Sequence, residues 1–379
     1  GTIADKAGGG MRFIILSSGR YVAGAGGLWF APPTELNLTR VVLSFCIGLI
    51  GMEFATTFTN AMMPDLTTHE DMGRMSGSGW AFGYLGGMGA LIIMLTLLAE
   101  NPAGVTLIGI EPILGLDPAA REGTRSVGPL TAIWYALFMI PFFLWVREPV
   151  RSGLTSVRAA AATAWPDLRR NLAALPGQRS LFNYLLSSMF YRDALNGIYV
   201  FGGIYAAGVL GWSPIDLGIF GILGTITGAL FAWLGGRADS RYGPKPVIML
   251  TVIALTLTTI GIVFVSREAV MGLPVGPDSR LPDIAFYILG ALIGAAGGAM
   301  QSASRTMMVR QAHPDRMTEG FGMYALTGKA TSFLAPLSIG ITTDLTGSQQ
   351  LGILPIVVLF VIGLVLLVRV RPDGDRAAA

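Results

Sequence analysis

Cysteine and histidine are nearly absent from this chain. Of its 379 residues, one is a cysteine and two are histidines. A single cysteine, Cys46, excludes a disulfide within the chain and any metal or cluster site built from several cysteines. The histidines, His69 and His313, lie far apart in the sequence and lack the spacing of a zinc site. We therefore expect neither metal chemistry nor any cofactor.

Charged residues are also scarce. They make up 13% of the chain, whereas hydrophobic residues make up 52%. A water-soluble chain of this length would have too little polar surface to cover itself. The net charge of +3 is spread over short loops and forms no basic stripe with interleaved aromatic residues, so we expect no nucleic-acid partner. This composition indicates a protein of the lipid bilayer.

Long apolar runs are abundant, and a transmembrane helix needs about 20 apolar residues. Ten stretches meet this length and predict an all-α polytopic membrane protein: about 12 to 31, 40 to 62, 76 to 98, 129 to 147, 181 to 208, 214 to 235, 246 to 266, 283 to 304, 318 to 342 and 350 to 369. If the segment before the first stretch faces the cytoplasm, the outer loops carry few cations: Arg40, Arg121, Arg125, Arg267 and Arg280. The excess of Lys and Arg on the inner side is the usual bias of membrane proteins, and it sets the predicted orientation.

Two polar segments share one pattern. One contains Gly1, Asp5 and Lys6, and the other contains Gly235 and Asp239 followed by basic residues and a further glycine. A glycine, an aspartate four residues later and then basic residues favour a tight polar hairpin at a membrane surface. The recurrence of this hairpin predicts two related halves, as in secondary transporters.

The hairpins resemble the loop signature of the major facilitator superfamily, Gly-x-x-x-Asp-Arg-x-Gly-Arg-Arg. The resemblance implies a major facilitator fold in two pseudo-symmetric halves. Since the superfamily's first hairpin follows helix 2, we expect the chain to lack helices 1 and 2 and to keep about 10 transmembrane helices of an original 12, numbered 3 to 12. The expected domains are an N-terminal half at 1–149 (helices 3 to 6), a cytoplasmic linker at 150–180 and a C-terminal half at 181–379 (helices 7 to 12). The linker is rich in Ala and Arg and is expected to form an amphipathic helix along the headgroups.

The same resemblance implies a cytoplasmic gate. In the superfamily, the hairpin aspartate of each half docks at the inner start of helix 5 or helix 11 in the other half, where the helix carries partial positive charge. We expect Asp239 to approach Arg74 to Gly77, and Asp5 to approach Arg316 to Glu319. The expected gate residues are Gly1, Asp5, Arg74, Gly77, Gly235, Asp239, Arg241, Gly243, Arg305 and Arg316.

Three further stretches resemble the vacuole effluxer, autophagy-related family and its bacterial relatives. They are Asn60 to Pro64 with Gly73 to Gly87, then Phe190 to Asn196, then Gln301 to Arg305 with Phe321-Gly322 and Ala335-Pro336. The resemblance implies a carrier of small solutes, and the fungal members are implicated in amino-acid export from the vacuole. Within the first stretch, Gly79, Gly83 and Gly87 recur every four residues, which predicts a helix face that packs closely on another helix.

Five ionisable side chains fall inside the predicted spans, and each costs about 2.5 to 3.5 kcal/mol at a helix centre unless it finds a partner or a wet cavity. The superfamily resemblance implies that helices 4, 7 and 11 surround the central cavity, whereas Arg20 on helix 3 snorkels or pairs structurally. Bridges between helices are the alternative interpretation of each charge. The expected substrate and proton cavity consists of Glu53, Asn60, Tyr191, Arg192, Asp193, Asn196, Gln301 and Lys329.

A carboxylate in a cavity that alternates between dry and wet changes its proton affinity, which predicts proton coupling through Asp193 or Glu53. We therefore expect a secondary active transporter of small polar solutes, amino acids among them, working by proton-coupled alternating access. A multidrug efflux pump of the same superfamily and a transport-inactive scaffold or receptor are the alternatives. An enzyme is not expected, because the sequence has no cluster of His, Asp or Ser at a membrane face. The expected partners are a small-molecule substrate, protons and the bilayer, and the expected state is a monomer in the bacterial cytoplasmic (inner) membrane.

Overall fold

A computed structural model describes residues 1–33, 37–148 and 155–375, and nearly all of its regular structure is helical. Up to residue 174 the helices are α1 (Thr2–Ala7), α2 (Gly10–Gly27), α3 (Leu38–Ala61), α4 (Met63–Leu66), α5 (Met72–Ile93), α6 (Glu122–Arg125), α7 (Val127–Trp145) and α8 (Val157–Ala174). The remaining elements are α9 (Arg179–Val209), α10 (Pro214–Tyr242), α11 (Pro244–Val263), a small hairpin of β1 (Ala269–Val270) and β2 (Leu273–Pro274), α12 (Leu281–Gln311), α13 (Met317–Ala330), α14 (Leu334–Thr346), α15 (Gln349–Gly352) and α16 (Leu354–Val368).

Seven helices of the described residues are long and apolar enough to cross a membrane. They correspond to predicted helices 4, 5, 6, 8, 9, 10 and 12: Leu38–Ala61, Met72–Leu98, Glu122–Trp145, Pro214–Tyr242, Pro244–Val263, Leu281–Gln311 and Gln349–Val368. The sequence predicted ten spans, so three of them do not meet this standard of length and composition.

The three remaining predicted spans are helical, but they are polar or interrupted. Helix α2, predicted helix 3, carries the exposed Arg12 and Arg20. Helix α9, predicted helix 7, carries Arg192 and Asp193. Predicted helix 11 is divided into α13 and α14 by residues 331–333. Polar content and a break, rather than a lack of helix, explain the difference from ten.

The chain forms two compact units. The first comprises Gly1–Leu66 and Gly86–Ala164, and the second comprises Thr67–Leu85 and Trp165–Ala379. The first half of α5 therefore belongs to the second unit. The predicted domain boundary at 149–150 lies outside the described residues, and the predicted domains stay a prediction. A helix, α8, does form in the predicted linker, and its Trp165 is 74% exposed.

In the first unit, α2 packs against α3 and α7. The backbones of α2 and α3 touch at glycines, because a methyl group added at Gly24 would lie 2.2 Å from the amide nitrogen of Gly48. The carboxylate of Glu148, just beyond α7, accepts hydrogen bonds from the amides of Gly10 (2.7 Å) and Met11 (3.2 Å). This carboxylate caps the start of α2, where the helix dipole favours negative charge.

In the second unit, α11 packs against α12 and α16. The ammonium of Lys245, at the start of α11, donates to the carbonyl oxygens of Val368 (3.0 Å) and Val370 (2.7 Å) at the end of α16. The start of predicted helix 3 is thus bonded to the end of predicted helix 6. In the same way, the start of predicted helix 9 is bonded to the end of predicted helix 12. This matching pair of contacts is what a repeat of the two halves would produce.

Close packing in the second unit depends on a different set of α5 glycines from the predicted one. A methyl group added at Gly77 would lie 2.5 Å from the carbonyl oxygen of Ala232, and one added at Gly73 would lie 2.7 Å from that of Gly236. Helices α5 and α10 therefore meet backbone to backbone. At Gly83 and Gly87, no heavy atom of the described residues would lie within 4 Å of an added methyl group. The close contact with α10 therefore lies at Gly73 and Gly77 and not at the predicted Gly83 and Gly87, while Gly79 faces the guanidinium of Arg305.

Gly77→Ala should lower the free energy of unfolding by about 1–3 kcal/mol, because the added methyl group meets backbone atoms that cannot turn away. Gly83→Ala is the matched control on the same helix and should be neutral or slightly stabilising, since alanine is the better helix former. Thermal unfolding of both variants in detergent checks this. Equal stability of the two variants would contradict the α5–α10 contact.

Candidate functional site

The break between α13 and α14 has a local cause. Pro336 stands in the first turn of α14, and a proline clashes with the carbonyl group four residues before it, which here belongs to Ser332. Helix α13 cannot continue through this point. Its final turn is closed by the hydroxyl of Ser332, which donates to the carbonyl oxygen of Lys329 at 3.0 Å.

The broken end of α14 is completed by a carboxylate from α9. The Oδ2 atom of Asp193 accepts a hydrogen bond from the amide of Ala335 at 3.1 Å. The neighbouring amides of Leu334 and Leu337 bond to the carbonyl oxygens of Thr331 and Phe333, and Pro336 has no amide hydrogen. With Asp193 in place, every amide hydrogen of this first turn has a partner.

Asp193 is itself deeply buried. Its side chain is 1% exposed, and its second oxygen, Oδ1, has no hydrogen-bond partner among the described residues. Within the same described part of the chain, no lysine or arginine forms an ion pair with it. A methyl group added at Gly197 would lie 2.7 Å from the Cβ atom of Ala335, so α9 and α14 are in close contact on this face. The result is a lone buried carboxylate at the junction of a broken helix.

Arg192 points away from Asp193, toward α13. Its guanidinium carbon lies 4.0 Å from the ring centroid of Tyr324, and its Nη1 atom donates to the carbonyl oxygen of Tyr324 at 2.9 Å. A methyl group added at Gly328 would lie 2.8 Å from the same guanidinium. Arg192 therefore joins α9 to α13 and corresponds to the alternative interpretation, a bridge between helices.

The other polar residues predicted on α9 have different surroundings. Tyr191 is fully buried, and its hydroxyl lies 2.9 Å from the hydroxyl of Ser304 on α12. It packs inside the unit, and its predicted part in the cavity stays a prediction. Asn196 is exposed on α9, and Lys329 is exposed in the last turn of α13.

Gln301 belongs to a hydrogen-bonded cluster that three helices form. Its Nε2 atom donates to the hydroxyl of Tyr84 on α5 at 2.9 Å, and this hydroxyl shares a hydrogen bond of 3.4 Å with that of Tyr199 on α9. Tyr199 is 41% exposed. The indole nitrogen of Trp80, one turn before Tyr84, is buried and has no hydrogen-bond partner among the residues described here. We call Trp80, Tyr84, Tyr199 and Gln301 the tyrosine cluster.

Two glycines make room for the tyrosine cluster. A methyl group added at Gly297 would lie 2.1 Å from the hydroxyl oxygen of Tyr199, and one added at Gly228 would lie 3.2 Å from the Cζ atom of Tyr84. Sequence reasoning identified Gln301 and missed both tyrosines as site residues. Two signals were available: Tyr84 lies in the family-like stretch Gly73 to Gly87, and Tyr199 follows the predicted site residue Asn196 by three positions on α9.

Glu53 and Asn60 are both half-buried on α3 in the first unit. Seven residues separate them, which puts them on one face of the helix about 10 Å apart along its axis. Their predicted part in the cavity stays a prediction.

The second hairpin lies beside the start of α5. Asp239 is 1% exposed, and its Cβ atom would lie 2.8 Å from a methyl group added at Gly73. Next to it, the hydroxyl of Ser240 accepts a hydrogen bond from the amide of Arg74 at 3.1 Å. The guanidinium of Arg74 instead pairs with Asp71 at 2.9 Å and is exposed.

The remaining residues of this hairpin are mainly structural. Gly235 approaches the Cβ atom of Ala299 on α12, which an added methyl group would reach at 2.7 Å. Gly243 has a φ of 85°, which favours glycine. Arg241 is exposed, with its guanidinium carbon 5.3 Å from the ring centroid of Tyr242.

Arg305 fastens α12 to α5. Its Nε atom donates to the hydroxyl of Ser76 at 3.0 Å, and its Nη2 atom donates to the carbonyl oxygen of Ser76 at 2.8 Å. The same hydroxyl donates to the carbonyl oxygen of Ser302 at 2.8 Å. Ser76 is fully buried, and its contacts explain why a basic residue is held at this depth.

The first hairpin begins with Gly1, and Asp5 lies in α1. Arg316, at the start of predicted helix 11, donates from Nη1 to the side-chain oxygen of Asn171 on α8 at 3.1 Å. The predicted approach of Asp5 to Arg316 and Glu319 would join the two units, and it stays a prediction.

Comparison with solved structures identifies the fold. Escherichia coli FucP, a fucose:proton symporter, matches with a TM-score of 0.71 at 14% identity, covering 97% of this chain and 85% of that one. XylE, a proton:xylose symporter, matches with a TM-score of 0.72 at 11% identity, covering 100% and 85%. The chain has the all-α fold of the major facilitator superfamily, and this prediction from the sequence is confirmed.

Sequence comparison narrows the class. The model of the family described as "Vacuole effluxer Atg22 like" matches residues 1–379, so the chain belongs to the Atg22-like vacuole effluxer family. The uncharacterized MFS-type transporter YxiO of Bacillus subtilis is 25% identical over 367 residues, covering 97% of this chain and 79% of YxiO. Autophagy-related protein 22 of Cryptococcus neoformans is 24% identical over 315 residues, covering 81% of this chain and 52% of the fungal protein. The chain thus spans about half the length of that fungal relative. The present chain is a multi-pass membrane transporter of the major facilitator superfamily.

Gly297→Ala should displace the Tyr199 hydroxyl and lower the free energy of unfolding by about 1–3 kcal/mol, because the added methyl group overlaps this oxygen. Tyr199→Phe removes the oxygen, so the double variant should recover much of that loss. A double-mutant cycle measured by thermal unfolding checks the coupling. Gly221→Ala on α10, where no described atom would lie within 4 Å of the methyl group, is the control. Additive effects of the two substitutions would show that Gly297 and Tyr199 are not in contact.

Proposed function

We propose that this protein is a secondary active transporter of small polar solutes, with amino acids as the first class to test, and that it works by proton-coupled alternating access. The observation that carries the proposal is that α9 bears two different groups. Asp193 on α9 meets the broken helix α14, and Tyr199 on the same helix joins the tyrosine cluster. A movement of α9 would therefore act on a proton-binding group and on a polar contact surface together.

The tyrosine cluster supports a polar substrate. It offers two hydroxyls and one amide, which can donate and accept hydrogen bonds, beside the indole ring of Trp80. Such a combination of aromatic surface and a few polar groups is typical of small-molecule sites. Tyr199 is more exposed than Tyr84, so it would be the first of the two to contact a solute.

Asp193 supports coupling to protons. A buried carboxylate without a cation is costly as an ion, and binding a proton removes that cost. The amide of Ala335 bonds more strongly to the charged form than to the neutral one. Proton binding would therefore weaken the hold of α9 on α14, and release of the proton would restore it.

Names of related proteins agree with this proposal. FucP and XylE are both described as proton symporters, so the fold accommodates proton coupling. The family's description as an effluxer suggests export as the direction to test first. The bacterial inner membrane as location and the monomer as functional state belong to the same proposal.

The two alternatives have less support. A multidrug efflux pump would be expected to use an aromatic, Met-rich cavity with few fixed charges. The tyrosine cluster is aromatic but hydrogen-bonded, and the buried carboxylate of Asp193 on the same helix as Tyr199 weighs against a drug pump. An inactive scaffold would need Asp193 only as the acceptor for the amide of Ala335, and a neutral asparagine could fill that role without the cost of a buried charge.

Asp193→Asn should abolish accumulation driven by a pH gradient while leaving substrate exchange across the membrane. Asparagine keeps an oxygen for the amide of Ala335 but cannot take up and release a proton. Uptake of labelled amino acids into proteoliposomes of the full-length protein, with and without an imposed pH gradient, measures both activities. Asp278→Asn, at an exposed carboxylate of an outer loop, is the control and should behave as wild type.

Glu53→Gln is the parallel variant for the second predicted carboxylate. Gradient-driven accumulation in both Asp193→Asn and Glu53→Gln would exclude proton coupling through these residues and leave a uniporter or another coupling ion. Absence of uptake and exchange for every labelled solute in the wild-type protein would favour the scaffold alternative.

A further inference from the structure

A groove at the start of α11 has no part in the proposed transport cycle. It has a volume of about 510 Å³ and lies where the second hairpin enters the helix. Its lining combines two cations with an apolar wall: Tyr242, Lys245, Met249, Leu250, Ile253 and Arg310 are the side chains that matter here. We propose that this groove binds an anionic phospholipid, with the headgroup at Lys245 and Arg310 and an acyl chain along α11.

The two cations keep hydrogen-bonding capacity for a phosphate. An ammonium group has three donors, and Lys245 uses two of them on the carbonyl oxygens of Val368 and Val370. Arg310 lines the groove, and its Nη1 atom donates to Asp373 at 3.0 Å. A guanidinium that lines the same groove as a lysine is suited to a phosphate group.

The backbone at the start of α11 offers few amide hydrogens to a phosphate. Anions often bind at helix N-termini through backbone amides. Here, positions 244 and 246 are prolines, which have no amide hydrogen. The positive charge of the groove therefore comes from its side chains, so substitutions can remove this charge without altering the backbone of α11.

The apolar wall of the groove is exposed on the outer surface of α11. Leu250 is 69% exposed and Ile253 is 40% exposed, and both lie on α11, which is long and apolar enough to cross a membrane. Tyr242 is 64% exposed at the end of α10, and tyrosine is enriched at the level of lipid headgroups. Apolar side chains on the membrane side and cations at its edge match the two parts of a phospholipid.

The charge of the surrounding segment favours an anionic lipid over a zwitterionic one. Arg241 on the hairpin and Arg369 and Arg371 after α16 are exposed near the same end of the helices. Basic side chains on the inner side attract anionic headgroups, and each contributes on its own. A zwitterionic headgroup of equal size would gain much less.

Native mass spectrometry of the full chain with dioleoyl phosphatidylglycerol, against dioleoyl phosphatidylcholine, tests the proposal. We expect the first lipid to bind more tightly, and Lys245→Gln and Arg310→Gln should each weaken it about fivefold. Glutamine can still donate to the carbonyl oxygens and to Asp373, which helps to preserve the fold. Arg280→Gln, in an outer loop, should leave binding unchanged.

Leu250→Glu tests the apolar wall without touching the cations, and it should weaken phosphatidylglycerol binding because it places a charge beside the acyl chain. Equal binding of the two lipids would overturn the proposal, and so would unchanged preference in the variant that carries both glutamines. Binding of glycerol 3-phosphate as tight as that of the lipid would show a site for a soluble phosphate and would also overturn it.

Discussion

The contact between the Asp193 carboxylate and the first turn of α14 is the interaction on which the second unit depends. A helix that breaks within a membrane must satisfy its backbone groups inside the protein, because lipid offers no hydrogen bonds. Pro336 sets the break, and Asp193 supplies the oxygen that the amide of Ala335 needs. A carboxylate is a weaker acceptor once it binds a proton, so the same contact that completes the fold can also switch it.

Glycines set how closely the helices of the second unit approach one another. Helix α10 lies against α5 at Gly73 and Gly77, and it lies against α12 at Gly294 and Gly298, where added methyl groups would reach backbone atoms of α10 within 2.3 Å. Contacts this close leave no room between the helices for a side chain larger than glycine. Along the broken helix, Gly320 and Gly328 of α13 instead approach side chains, those of Ala312 and Arg192.

The sequence predicted the fold from its apolar runs and repeated hairpin, because these depend only on composition and local spacing. It predicted Gln301 as a polar contact residue, which lies in the tyrosine cluster. It missed the packing role of Gly73, since a four-residue spacing does not reveal which face meets a neighbour. It placed Arg192 and Asp193 in one cavity, whereas Arg192 stacks on Tyr324 and Asp193 caps α14. Such partners come from distant helices, so no local pattern could identify them.

The central claim is that Asp193 takes up and releases a proton within the protein. Infrared difference spectroscopy between two pH values observes this directly, since a protonated carboxylic acid has its own carbonyl band in a dry environment. The account predicts a band that changes with pH in the wild type and is missing from Asp193→Asn. A spectrum in which every pH-dependent carboxylic-acid band persists in that variant would contradict it.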